Sequence, residues 1–291
     1  MKKMAIVFAI LAACFYALNA PISKLLLEVI PSTTLAGLLY LGAGIGMSVV
    51  YLFRKRIVKN DKEKSLSRKD LKYVLMMILL DILAPIMLLI SLKSSNPETI
   101  ALINNFEIVA TSIIAFIFFK EKISFKLWIG IILVLIASIL LSVDFTNGIS
   151  FSYSCIFAFI ACISWGLENN CTRSISDKNP FQIVVLKGIF SGLGSLIIGL
   201  FLGEHICNFI YVLYALLLGF VAYGLSVFFY VLSQRYIGAS KTSAYYSLAP
   251  FISVGLSFIL FQNKVELSFL VSLIIMIFGI ILVTIDNLKN E

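Results

Sequence analysis

Charge is scarce in this sequence and histidine is almost missing. Only 13% of the 291 residues are Asp, Glu, Lys or Arg, and His205 is the single histidine. Soluble domains carry about 25% charged residues, so an ordinary solvated surface is excluded. One histidine in a short polar connection excludes a histidine-built metal centre. The five cysteines, Cys14, Cys155, Cys162, Cys171 and Cys207, form no CxxC pair and no metal-ligand spacing. Four of them lie in or beside apolar stretches, where they read as small packing residues. No GxxxxGK[ST] loop is present, which argues against direct use of ATP.

What is abundant is apolar: 60% of residues are hydrophobic and the mean hydropathy is +1.04. A chain of this size leaves most residues near its surface, so its solvent must be largely lipid. A helical span needs about 20 apolar residues. Ten such runs centre near Leu11, Gly44, Leu80, Val109, Leu135, Phe159, Gly192, Leu218, Phe251 and Met276. The first resembles a lipoprotein signal ending at Cys14, but further apolar segments follow it, so it reads as a retained helix. The formal charge of +8 does not indicate nucleic acid, because much of the basic excess lies between Arg54 and Lys72, beside a span. With both termini cytoplasmic, the outer connections keep only Lys24, Lys93 and Lys264 of the 23 basic residues, and Lys187 falls inside a helix. That asymmetry sets the expected orientation in a bacterial inner membrane.

The two halves repeat. Tyr16-Ala-Leu-Asn-Ala-Pro-Ile-Ser-Lys24 aligns without gaps on Trp165-Gly-Leu-Glu-Asn-Asn-Cys-Thr-Arg173, and the same register sets Glu28 on Asp177 and Pro31 on Pro180. Phe119-Lys-Glu-Lys122 falls on Phe261-Gln-Asn-Lys264, and Val143-Asp144 on Ile285-Asp286. Each unit has five helices, and an odd number turns the second copy upside down. The expected fold is all-α and integral to the membrane, ten helices as two inverted five-helix repeats over residues 1–146 and 147–291. On these residues the chain resembles the drug/metabolite transporter superfamily, EamA type. The carriers are Tyr16-Ala17 and Trp165-Gly166, Pro250, and Phe119 with Glu121. It departs from the pattern at Ala17, Asn263 and Ile108, where glycine, glutamate and proline are usual. The resemblance implies export of amino acids or related metabolites, and peripheral fifth and tenth helices with homodimer contacts.

Ionisable groups inside a membrane cost about 2.5–3.5 kcal/mol each on an insertion scale, so they mark an interior or a watered path. Four fall in spans: Asp81, Glu107, Glu168 and Lys187. Asn104, Glu107 and Thr111 share one helix face. Ser243, Tyr246, Pro250 and Ser253 form the matching stripe, and Pro250 withholds a backbone donor. These two faces are expected to line a cavity in which Glu107 meets a cationic group or a proton. The alternative is a structural carboxyl paired with Lys187 or hydrogen-bonded in the bundle. Asp81, one turn before Pro85, serves the cavity or the structure. Glu168 and Asn169 either join the site with Trp165 or form a solvated helix end. Lys187 either snorkels to the interface or serves in an ion pair or an anion-binding role. Tyr16, Tyr223, Tyr230, Tyr245 and Tyr246 offer flat amphipathic walls, or serve as interface belts. Asn19 and Ser23 continue the face of Tyr16.

The leading reading is a secondary transporter working by alternating access on a small metabolite, with no cofactor, no metal, no nucleic acid, and membrane lipid as its surroundings. A scaffold or lipid scramblase without a solute site is the alternative. An integral-membrane enzyme is the more remote one, because no catalytic constellation is evident.

Overall fold

The computed structural model describes residues 2–57, 63–119, 124–141, 143–144, 150–151, 153–205, 208–262 and 267–289. Cys207, Lys120 to Lys122 with Glu121, Asn263, Lys264 and the boundary at residues 146 and 147 lie outside them. So do the side chains of Ser243 and Asp286.

The chain makes ten helical passes, several of them interrupted. The first is α1 (Lys2–Tyr16) and α2 (Asn19–Leu26); the second and third are α3 (Ser32–Ile57) and α4 (Leu71–Lys93). The fourth is α5 (Pro97–Ile103) with α6 (Phe106–Phe119), then α7 (Phe125–Leu141) and, after a two-residue ladder of β1 (Val143–Asp144) with β2 (Ser150–Phe151), α8 (Tyr153–Ser174). The seventh joins α9 (Pro180–Leu186) to α10 (Gly192–Phe201) through a π-helical turn at Lys187–Ser191. The eighth joins α11 (Phe209–Gly219) to α12 (Ser226–Tyr246) through another at Phe220–Leu225. The last two are the end of α12 with α13 (Leu248–Phe261), and α14 (Leu267–Lys289).

Five of these passes are long and apolar enough to cross a membrane unaided, among them Lys3–Leu26 and Phe209–Ile237. The sixth, α8, is long enough, but Glu168, Asn169, Asn170 and Thr172 lower its hydropathy and all are buried. Its polar stripe therefore faces protein, as lipid requires.

Packing follows a two-fold pattern. First pass packs on eighth as third packs on sixth; second lies on seventh, and fifth on tenth. The aliphatic α7 and α14 contact each other and expose Trp128, Ile132, Ile274 and Phe278, so both lie at the rim.

Three of the interruptions have a local cause. Pro21 and Pro250 sit at the third positions of α2 and α13 and have no amide hydrogen for the carbonyls of Ala17 and Tyr246, four residues back. The fourth pass has Ile108 in place of a proline, yet it breaks as well, at the adjacent Asn104 and Asn105, residues of low helix propensity. The polar stretch from Arg235 to Lys241 forms no loop between the eighth and ninth passes. Instead α12 runs through it and doubles back. The hydroxyls of Ser233 and Thr242 are 3.0 Å apart, where a straight helix would separate nine residues by roughly 13 Å.

The ends are tied by distant side chains. Lys24 donates to the carbonyls of Leu92 (2.7 Å) and Ser95 (2.9 Å), closing the C-terminal end of α4. Glu204 accepts from the amides of Thr33 (3.3 Å) and Thr34 (2.7 Å), capping α3 from another pass.

At the centre, α3 touches its neighbours backbone to backbone. A Cβ on Gly219 would stand 2.0 Å from the Leu39 carbonyl oxygen, and one on Gly42 would stand 2.1 Å from that of Leu216. Gly219→Ala is therefore expected to lower stability by about 1–3 kcal/mol. Gly255→Ala, whose Cβ meets nothing within 4 Å, should leave it unchanged. Thermal unfolding of both variants in detergent checks the contrast, and equal behaviour would sink the packing argument.

Candidate functional site

Helix α8 presents Trp165, Glu168, Asn169 and Thr172 on one face, at the i, i+3, i+4, i+7 spacing. Opposite it, the π-helical turn of the seventh pass carries Lys187, and α4 carries Asp81 one turn before Pro85. These groups meet. The Lys187 ammonium lies 2.7 Å from Glu168 Oε1 and 3.2 Å from Asp81 Oδ2. Tyr40 donates to the other Asp81 oxygen at 2.8 Å, and Thr172 donates to Glu168.

Lys187 is 4% exposed, Glu168 4% and Asp81 0%. Of the alternatives left by the sequence, snorkelling of Lys187 and a solvated helix end at Glu168 are both corrected. Three elements converge on the ammonium, and all three charged groups are buried within the bundle. Burial of this kind is tolerated only with close partners.

Glu107, in the first turn of α6, is not part of that ion group. It accepts a hydrogen bond from Asn169 Nδ2 at 2.7 Å, and Asn169 also donates to Thr111 Oγ1 at 3.4 Å. Of the two forms of the structural alternative, pairing with Lys187 is not seen, and the carboxylate is hydrogen-bonded in the bundle by this amide. Among the described residues, Glu107 has no cationic partner.

Aromatic rings complete the walls. Tyr16 stands edge-on to Trp165 (6.2 Å between ring centres) and to Tyr223 (5.8 Å), and lies 5.6 Å from Tyr246. Tyr40 lies 4.9 Å from Tyr223, and Tyr230 4.9 Å from Tyr246. Asn19 donates to the Tyr223 hydroxyl at 3.1 Å and accepts from Ser23.

Together these residues enclose a cavity of about 50 Å³ bounded by Tyr16, Asp81, Glu107, Trp165, Glu168 and Lys187, with Tyr223, Tyr230 and Tyr246. It has room for a few waters and none for a metabolite. A second, smaller chamber of about 10 Å³ adjoins it at Asn104, Glu107, Tyr246 and Pro250. Tyr245, also expected at the site, is half-buried and lines neither chamber, since its neighbour Tyr246 takes the inward direction. Tyr40 and Thr172 were not anticipated. A tyrosine in mid-span, far from either interface belt, was the available signal for Tyr40.

One end of the cavity is sealed. Met77, Ile175, Ile183 and Val231 pack into an apolar plug with Val74. Each of the four lies three or four residues past a cavity residue on its own pass, namely Asp81, Thr172, Lys187 and Val227. Beyond the plug, the segment after α3 is strapped across the start of α9. Asn179 donates its amide to the Lys64 carbonyl (2.8 Å), and Leu66 donates to Gln182 (2.9 Å). Arg235 binds Glu63 at 2.8 Å and the Ser176 carbonyl at 3.1 Å.

Inverted helical repeats, interrupted helices and a polar chamber enclosed where they meet define a membrane transporter. The profile of the EamA-like transporter family matches residues 3–143 and again 152–285, so the chain belongs to that family, within the drug/metabolite transporter superfamily. An uncharacterized transporter of Methanothermobacter thermautotrophicus is 24% identical over 288 residues, covering 93% of this chain and 83% of the relative. The uncharacterized transporter YyaM of Bacillus subtilis is 24% identical over 238 residues, covering 78% and 76%. One solved crystal structure matches all of both chains with a TM-score of 0.71 at 14% identity, a likeness of fold alone.

Removing the ammonium leaves two buried carboxylates without it. Lys187→Met is expected to destabilise the protein by about 3–5 kcal/mol, and adding Asp81→Asn and Glu168→Gln should recover most of that. Unfolding midpoints of the single and triple variants measure this. A Lys187→Met protein as stable as the wild type would show that the ion group contributes nothing to folding.

Proposed function

We propose that this protein is a secondary transporter that exports a small metabolite carrying a positive group, of the amino-acid kind, by alternating access. The observation that carries the reading is Glu107, a carboxylate facing a closed aromatic chamber with no cation against it among the described residues. A bound ammonium would supply the missing charge, and the tyrosine and tryptophan faces would hold the remainder of the solute. The chamber is too small for such a solute as it stands, so binding needs the passes to part, which suits a mechanism that opens to one side at a time.

The distribution of Lys and Arg supports both termini in the cytoplasm of a bacterial cell, with the sealed end of the cavity toward it. On that reading the Arg235 latch is the inner gate. Export as the direction, and amino acids as the class, come from the family resemblance.

The test is transport in proteoliposomes together with thermal stability against a metabolite panel. A ligand at about one hundred times its dissociation constant should add roughly 2.7 kcal/mol to the folded state. Glu107→Gln keeps the shape and removes the charge, so it should cut transport about 10- to 100-fold, the value of a charged hydrogen bond. Transport by Glu107→Gln at the wild-type rate would remove Glu107 from the site.

A further inference from the structure

Three helix breaks meet at the smaller chamber. Tyr16 ends α1, Asn104 and Asn105 separate α5 from α6, and Tyr246 ends α12 with Ser247 parting it from α13; all five line it with Glu107. Its volume is about 10 Å³, the space of one water or one dehydrated ion.

Several polar groups of the lining are left without hydrogen-bond partners among the described residues. Pro250 offers no amide hydrogen to the Tyr246 carbonyl. Asn105 is 0% exposed, and neither its oxygen nor its nitrogen has a hydrogen-bond partner among the described residues. The Tyr16 hydroxyl is buried and equally without one. Leaving a buried amide unsatisfied costs about 1–3 kcal/mol, and here it stands beside an uncompensated carboxylate.

From this geometry we infer that the smaller chamber is a binding site for a small monovalent cation, Na⁺, held by Glu107, the Asn105 and Asn104 amide oxygens and oxygens of the broken helix ends. The inference rests on the transporter reading only for its purpose, which is to supply a coupling ion. Unwound carbonyls and half-helix ends are the usual sodium ligands where helices break in mid-membrane. A water in the same place would satisfy Asn105 and leave Glu107 uncompensated. A proton on Glu107 would neutralise it and leave Asn105 unsatisfied. A cation answers the carboxylate and the Asn105 amide oxygen together.

The experiment uses the whole protein in detergent at pH 8, unfolded thermally in NaCl, KCl or choline chloride at equal ionic strength. Na⁺ should raise the midpoint saturably, choline should not, and K⁺ should need higher concentration. Asn105→Ala and Glu107→Gln should each weaken the Na⁺ effect at least about tenfold. Asn105→Asp, which keeps an oxygen, should retain it and so separates loss of the ligand from loss of the fold. A wild-type midpoint that does not distinguish Na⁺ from choline overturns the site, as does a sodium effect that survives both Asn105→Ala and Glu107→Gln. If solute transport still depends on Glu107 in the first case, only the cation site has failed. If Na⁺ binds as expected and no solute is carried, the transport reading fails and the site stands.

Discussion

An ammonium in a hydrocarbon layer must be met by carboxylates at contact distance, because no solvent is there to do it. Lys187 is met twice, by Asp81 from the third pass and Glu168 from the sixth. This draws three passes together at one depth, and the rest of the interior is arranged around that point. Tyr40 brings the second pass to Asp81, and Tyr223 brings the eighth to Tyr40. The π-helical turn that carries Lys187 rests on α3 at Gly44 and Gly188, where no side chain intervenes. With the triad self-contained, Glu107 is the acidic group left over, and its amide partner Asn169 is on the same helix as Glu168. Two acidic environments therefore sit side by side, one internally compensated and one not.

The second organising constraint is backbone hydrogen bonding. Lipid accepts nothing from an amide and gives nothing to a carbonyl, so each helix break has to be wrapped in protein. The three breaks achieve this by facing one another across the chamber lined by Asn104, Glu107 and Tyr246. Interruption and enclosure thus have the same cause, and the polar groups released by the breaks are concentrated where the ionisable side chains already are.

Much of this was legible in the sequence. The ten apolar runs follow from local spacing and the inverted repeat from the match of one half on the other; Asn104 and Glu107, expected on one helix face, are instead parted by the break at Asn104 and Asn105 and meet at the smaller chamber. Pro21 and Pro250 mark two breaks directly; the third is marked only by adjacent asparagines, a weaker signal than the missing proline at Ile108. The partner of Lys187 was not legible, since snorkelling and pairing differ only in which way the helix faces. Nor was the role of Tyr40, whose bond to Asp81 spans 41 positions. The reversal within α12 was hidden because no proline marks it and the residues around it read as a plain polar loop.

The capping of α3 by Glu204 bears on how the chain is assembled. The carboxylate that receives the Thr34 amide and hydroxyl lies 170 positions further along, and the carbonyls that receive Lys24 lie 68 to 71 positions beyond it. While the ribosome is still making the first half, the end of α4 can already meet Lys24, but the start of α3 lacks its final partner. The second pass gains its cap only after the seventh has been inserted, so the first repeat is completed by the second, and the order of synthesis is also the order in which the early helices become fixed.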